Sequence, residues 1–412
     1  MSSEKTYNYL KYIIWPLFAL VLLPSNLKAI VIGIVFLSLL LFRFKNKFYL
    51  NKKFFITNGL FFFFLTLTLI YSSNLGYGIK KLSTMSSLVV FPFMFSLLRK
   101  EERNYLFSNL DTYLKTYIFS IFILNAGLFI WFWATNYTFD EMLIHFATAI
   151  DKDAGKFNIH PIYISIHCAL AIIFSAFLLF KNQKTLSLVS LLLIDAGLLS
   201  FILLYSKKGP IIALVLVLTL LVLSQKNINI TRPYLMGVFT FILLIATIPK
   251  TREKFYEIIA MENLQEGKAS STNIRYSIYT KSLEVIEEAP VLGYGIGDYN
   301  ERLFKAYYES ENYILQKGRY NSHNQILSFL LIGGIVLMIV FMGYLTLNFL
   351  YAIRLDNKFF IAVMLFYFLN MLTENILERE DGVIFFALFL NLFSLNSLFE
   401  KLPEINNKKV LV

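Results

Sequence analysis

A single cysteine, Cys168, occurs in all 412 residues, so a disulfide within the chain is excluded. Charge is scarce as well. Asp, Glu, Lys and Arg supply 16% of the residues against 57% hydrophobic ones, and the mean hydropathy of +0.61 excludes an ordinary soluble domain. No cluster of Cys and His, no HExxH and no paired-aspartate motif is present, and neither a metal nor a cofactor is expected. Internal repeats are missing, including the inverted repeat common among transporters. The opening stretch "MSSEKTYNYLKYIIWPLFALVLL" has no small-residue cleavage site after its apolar run, so it is expected to remain as a first helix and not to leave as a signal peptide.

What the chain has in abundance is apolar runs. Blocks of roughly 15 to 22 apolar residues, each able to cross a hydrocarbon core about 30 Å thick as a helix, recur along the whole length. They centre on residues 11–24, 28–42, 54–72, 82–98, 113–134, 161–180, 186–204, 210–224, 233–249, 324–350, 358–374 and 383–399. The expected fold class is all-α, a polytopic membrane protein with about 12 transmembrane helices and one helical loop domain on its outer face.

A formal net charge of +11 would invite nucleic acid in a soluble protein, but here lysine and arginine sit in short connecting loops, where they orient a membrane protein. No nucleic-acid partner is expected. With the N-terminus inside, "RFKNKFYLNKK" (43–53), "RKEER" (99–103), "KNQK" (181–184), "QKNINITR" (225–232), "RLDNK" (354–358) and the tail "KLPEINNKK" (401–409) all fall on the cytoplasmic side. The opposite orientation would place every one of them outside.

That orientation puts residues 250–322, the only long hydrophilic stretch, on the outer face. Within it "NIRYSIYTKSLEVIEEAP" (273–290) spaces Ile274, Ile278, Val285 and Ile286 at helical intervals, "GYGIGD" (293–298) breaks the chain, and "YNERLFKAYYESENYILQK" resumes a helical pattern. The glycine-rich break follows no strand, which rules out a nucleotide-binding loop. A second outer segment, 136–160, carries Asp140, Glu141, His145, Asp151 and Asp153 and is too short for a domain. The chain is thus divided into N-terminal transmembrane helices (1–205), further helices preceded by a short Ser-Lys-Lys-Gly outer loop (206–249), the loop domain (250–322), C-terminal transmembrane helices (323–400) and a cytoplasmic tail (401–412).

Cationic and imidazole groups gather where helices start on the outer face. "NIHPIY" sets His160 before Pro161, "YSKKGPII" sets Lys207 and Lys208 before Pro210, and "NSHNQI" sets His323 at the mouth of the next long apolar run. Helix N-termini present unpaired N–H groups and a positive dipole end, so three on one face make a natural anion site. The lysine pair also breaks the positive-inside pattern, which points to a ligand. Each residue has a plainer alternative: lysines that snorkel to lipid headgroups, a histidine that helps Asn324 close a helix end, an "HP" that only starts a helix, and a surface Arg275 that is simply solvated.

The order of a lysine loop, a long outer loop containing "R…Y…P…G-x-G-x-G" and an "HN" opening the next helix resembles the O-antigen ligase family of bacterial envelope enzymes. That family includes the related O-antigen polymerases and some protein O-oligosaccharyltransferases. The resemblance is strongest from Ser206 to about Phe393 and covers the first half only in helix count and layout. It implies a C-type glycosyltransferase-like body in the bacterial inner membrane, with the loop on the periplasmic side. It also implies metal-independent, inverting transfer of a glycan from undecaprenyl diphosphate to an acceptor, lipid A-core first among the candidates. By the same resemblance His323 corresponds to the catalytic histidine and Arg275 to the arginine that holds the diphosphate. Lys207 and Lys208 stand where the family has serine followed by arginine, with loss of bidentate phosphate geometry. Tyr279 is nearest to the aromatic that follows the loop arginine, and Asn324 and His160 join the substrate-binding set. "ENILEREDGVIFFALFLNLF" (374–393) resembles the closing segment of some members and brings Glu374, Glu378 and Arg379 to the outer face without an assigned role.

An imidazole suits proton abstraction from a sugar hydroxyl near neutral pH, and arginine, lysine and helix N-termini can stabilise a departing diphosphate. The competing function is a transporter or flippase of a lipid-linked sugar, which would need polar residues deep within several helices. Asp195 is the only clear acidic residue embedded in an apolar run, which is thin support for that reading.

Overall fold

The computed structural model describes residues 3–181, 185–225, 228–247, 249–259, 269–310 and 312–397, and among these there is no strand. The 401–409 tail and most of "KNQK" lie outside the described residues. Each of the twelve apolar blocks falls on helix. Five spans, Ser25–Lys45, Lys52–Tyr71, Leu110–Thr135, Pro161–Lys181 and Gln325–Arg354, are long and apolar enough to cross a membrane.

Several blocks that read as single helices are broken. Pro16 cannot donate a backbone hydrogen bond, and the first block passes from α-helix (Ser3–Ile14) into a 3-10 turn (Trp15–Leu22) at that point. The fourth divides into Leu75–Met85 and Ser87–Ser96. The tenth, Gln325–Arg354, leaves helical geometry at Gly333 and Gly334.

The core is aromatic. Phe385, Phe389 and Phe393 recur every four residues on Glu380–Ser397 and so share one face; Phe389 meets Phe174 at 4.7 Å and Tyr117 at 4.9 Å, and Phe393 meets Phe359 at 5.0 Å. Ile34, Leu37, Leu41, Ile70, Leu193, Met236 and Phe239 remain exposed, the pattern of a surface that faces lipid. Phenylalanine therefore fills the interior as well as the outside.

The polar contacts sort the helix ends into two sets. At one end Arg43 pairs with Glu102, Lys181 with Asp111 at 2.8 Å, and Lys358 donates to the Ser224 carbonyl at 3.2 Å. At the other, Lys28 pairs with Asp381, Lys81 with Glu378 at 2.9 Å, and Lys208 with Glu257 at 2.8 Å. Ser25–Lys45 carries Lys28 in its first turn and Arg43 in its last, so it runs from one set to the other.

Residues 249–259, 271–288, 299–309 and 313–318 of the loop segment are helical, and 260–268 lie outside the described residues. The segment is inserted into the bundle, not only laid on it. Its glycine-rich break runs past the interruption at Gly333–Gly334 and supplies the hydrogen bonds the broken helix lacks. Tyr294 and Gly295 donate to the Leu331 and Ile332 carbonyls at 2.8 Å, and Ile335 donates to the Pro290 carbonyl at 2.9 Å. On the other side Ile296 and Gly297 donate to the Thr68 and Ser72 hydroxyls, and the Asp298 carboxylate accepts from the Ser73 and Asn74 amides at 2.6 and 2.9 Å. Gly295, at φ +82°, has no room for a side chain: a Cβ would lie 2.2 Å from Ser72 Oγ.

Candidate functional site

The site is assembled on the short connector after Lys358–Met371, and three helix starts converge on it. From Pro161–Lys181, Tyr163 donates to the Asn375 carbonyl at 3.3 Å. From Lys208–Ser224, Gly209 approaches so closely that a Cβ would sit 2.8 Å from Thr373 Oγ1. Ahead of Gln325–Arg354, Ser322 exchanges hydrogen bonds with the Asn375 amide at 3.0 and 3.2 Å, and Asn324 donates to the Leu372 carbonyl at 3.1 Å. Pro161 opens its helix as expected, whereas the Lys207–Lys208 helix begins at Lys208, ahead of Pro210.

His323 stands two residues before the helix, at φ +42°, a left-handed conformation uncommon outside glycine. Its Nδ1 lies 3.3 Å from Glu374 Oε2, and one quarter of its side chain is exposed while Glu374 is almost fully enclosed. Only Glu374 pairs with the ring among the described residues, a partner to which the sequence assigned no role. Burial, the largest influence, pushes the Glu374 carboxyl up; the hydrogen bond and charge of His323, with Arg275 and His160, outweigh it, and the group is held below the usual carboxylate range. With Nδ1–H directed to the carboxylate, the tautomer assigned from this contact leaves Nε2 as the acceptor, on a residue that lines a cavity. Backbone strain at a ring so held is the kind found where geometry serves function.

Arg275, on Ser271–Glu288, and Lys207 make no hydrogen bond or ion pair among the described residues, yet both act electrostatically on this pair. Lys207 is brought down to about 8, first by burial, then by the like charges of Lys254 and Arg275. For His160, exposed overall, desolvation followed by the charge of Lys207 lowers the proton affinity of the ring. Tyr279 donates to the carbonyls of His323 and Leu372 at 3.0 and 3.1 Å, which fixes the His323 backbone; burial pushes its phenol up.

Two expected residues are otherwise engaged. Lys208 is buried and bound to Glu257 and to the Thr272 hydroxyl, both at 2.8 Å, so it ties the loop segment to the bundle. Asn324 is the helix cap: its Oδ1 accepts from Ile326 and Leu327 at 2.9 and 3.2 Å, and its amide is taken by Leu372. Adjacent lysines part because Lys207 is still extended while Lys208 is already helical.

Glu378 accepts hydrogen bonds from Lys81, Tyr299, Ser328 and Asn375, and so locks four elements together without a free lone pair to offer. A cavity of about 460 Å³ opens beside His323 and Glu374. Its walls include Lys80, Lys81, Arg319 and Arg379 but neither Lys207 nor Arg275. Lys80, Lys81 and Arg319 carried no sequence signal beyond ordinary surface charge.

Residues 190–342 match the family model described as O-antigen ligase. This stretch is an O-antigen ligase family domain. The resemblance read from the sequence is borne out over this stretch, and together with the apolar helices the match supports a membrane protein of O-antigen ligase or polymerase type. The O-antigen ligase domain contains Lys207, Lys208, Arg275, Tyr279, His323 and Asn324, while His160, Glu374 and Arg379 come from outside it. No curated protein matches the chain.

Proposed function

We propose that the chain is an inverting glycosyltransferase that moves a glycan from undecaprenyl diphosphate to an acceptor hydroxyl at the periplasmic face of the bacterial inner membrane. Twelve helices cross the bilayer, both chain ends are cytoplasmic, and residues 250–322 lie in the periplasm. The acceptor is lipid A-core in the ligase form of the reaction; a growing polymer or a protein would be acceptors for its relatives in chemistry. The observation that carries the reading is the His323–Glu374 pair, with its outer ring nitrogen free, beside two unpartnered cations.

In the reaction, His323 Nε2 takes the proton of the acceptor hydroxyl while Glu374 holds the ring and stabilises the imidazolium. The hydroxyl oxygen attacks the anomeric carbon, the bond from that carbon to the diphosphate oxygen breaks, and the configuration inverts. Arg275 and Lys207 stabilise the charge that accumulates on the departing diphosphate. The proton then passes from His323 to water or to the product, and the base is restored.

Purified protein in nanodiscs, given an undecaprenyl-diphosphate-linked glycan and lipid A-core, should form the glycosidic product. Arg275→Ala should weaken donor use by roughly 10- to 100-fold, the value of one charge-assisted phosphate contact. Movement of the lipid-linked glycan across a sealed bilayer without transfer would instead favour the flippase.

A further inference from the structure

The cavity beside His323 carries more positive charge than the reaction at His323 uses. Of the groups on its wall, Glu378 is paired with Lys81 at 2.9 Å, and Glu374, hydrogen-bonded to the His323 ring at 3.3 Å, is the one carboxylate left to set against the other cations. Lys80, Arg319 and Arg379 remain. All three are exposed, and the side chains of Lys80 and Arg379 make no hydrogen bond or ion pair among the described residues. Arg319 is steered over the Phe304 ring, 5.0 Å from its centroid, at a backbone φ of +41°. These cations come from three separate elements: the Leu75–Met85 helix, the turn before His323, and the connector that carries Glu374. Convergence of unrelated segments on one opening is hard to explain as a solvated helix face, where like charges would recur on a single element.

The rest of the lining suits a sugar. Tyr77, Tyr163, Phe304 and Tyr320 offer ring faces and edges, and Asn300 and Asn321 offer amide groups. Tyr320 lies 6.0 Å from the His323 ring, so a sugar stacked there would have its hydroxyls within reach of the base. The volume of about 460 Å³ is that of a small-ligand site and holds one or two sugar rings. Because Lys207 and Arg275 do not line this cavity, it is distinct from the place assigned above to the diphosphate. His160, His323 and Glu374 form the boundary between the two.

We infer that this cavity is the acceptor subsite, and that it selects acceptor sugars bearing an acidic group, a phosphate or a carboxylate, through Lys80, Arg319 and Arg379. The inference rests on the proposed transferase reading for the word acceptor, but the binding it requires is independent of turnover. Both acidic groups are planar or tetrahedral oxyanions that arginine and lysine recognise alike, so the choice between them is left to the experiment.

The test is equilibrium binding to the full chain in nanodiscs, with N-acetylglucosamine 6-phosphate, glucuronic acid and N-acetylglucosamine as probes and geranyl diphosphate as a surrogate for the carrier end. Tighter binding of one or both acidic sugars is expected, and whichever binds identifies the group. In Lys80→Gln and Arg379→Gln the acidic preference should fall by about tenfold each, with geranyl diphosphate affinity moving less than threefold. Thermal melting of each variant checks that the fold is retained, and Lys80→Arg should keep the preference. Equal binding of acidic and neutral sugars by the parent would overturn the inference, whatever the transfer assay gives. So would variants that lose geranyl diphosphate and keep the acidic sugars, because the cavity would then belong to the donor.

Discussion

Gly334→Ala tests the way the loop segment is anchored in the bundle. Gly334 has φ +57° and ψ −157°, a region open essentially to glycine alone, and a side chain there costs about 1–3 kcal/mol. The added Cβ would also fall 2.3 Å from the carbonyl carbon and oxygen of Val291, which are backbone atoms and cannot rotate away. Pushing them back disturbs the hydrogen bonds that join Pro290, Tyr294 and Gly295 to the broken helix, and overpacking of this kind costs about 1–3 kcal/mol more. The sum, about 2–6 kcal/mol, should lower the melting temperature of a chain this long by about 2–7 °C. The chain supplies its own probe: Cys168 is the only thiol and is 0% exposed, so a fluorogenic maleimide reports unfolding directly. Gly343→Ala, on the same helix with nothing within 4 Å of the added carbon, is the matched control. It should be neutral or stabilising by up to about 1 kcal/mol. Coincident melts for Gly334→Ala and the parent would refute the anchoring role given to this crossing.

Glu374→Gln keeps the shape of the connector but removes the charge that faces His323; it should lower kcat by about 100-fold or more with little change in donor KM, and Glu374→Asp should recover part of the loss. The rate profile of Glu374→Gln should also shift along the pH axis, because a positioning carboxylate changes the protonation of the base; a simple loss of fold would not. Lys207 gives a separate pH dependence. Its folded value of about 8 means that the ammonium is present below that pH and lost as pH rises through it, so kcat/KM for the lipid-linked donor should decline above about pH 8. An ordinary lysine would hold its charge to about pH 10, and Lys207→Arg should remove the decline.

The twelve apolar blocks were legible because hydropathy and helix formation are both local: each block falls on helix with ends a few residues from those expected. The interruptions were not. Gly333–Gly334 reads as an unremarkable small pair within "FLLIGGIVLM", and its break is stable only because residues 290–295, some forty positions earlier, complete its hydrogen bonds. "GYGIGD" was legible as a break in the chain, but its use as a plug between two interrupted helices depends on Thr68, Ser72 and Asp298 meeting in space.

For the site, the sequence brought His323, Arg275, Lys207 and Tyr279 to one face, and in the structure Arg275 acts on Lys207 and Tyr279 while Tyr279 donates to the His323 carbonyl. It could not part Lys207 from Lys208, whose surroundings are decided by one residue of helix onset, nor foresee that Asn324 divides its amide between capping its helix and the Leu372 carbonyl. Glu374 was noticed and left without a role because its partner lies 51 residues away. Lys80, Arg319 and Arg379 look alike with any surface cation until three elements bring them to one opening.

The account turns on His323 as the base. The direct measurement is the single-turnover rate of glycan transfer by purified His323→Ala in nanodiscs, with donor binding and thermal melting recorded on the same preparation. The expected result is a rate lower by about 10²- to 10⁴-fold, with donor still bound and the melt retained, while alanine at His145 and His167 leaves the rate near that of the parent and His160→Ala falls between. Transfer by His323→Ala at a rate close to the parent's would contradict the account and leave this histidine as no more than a strained residue ahead of a capped helix.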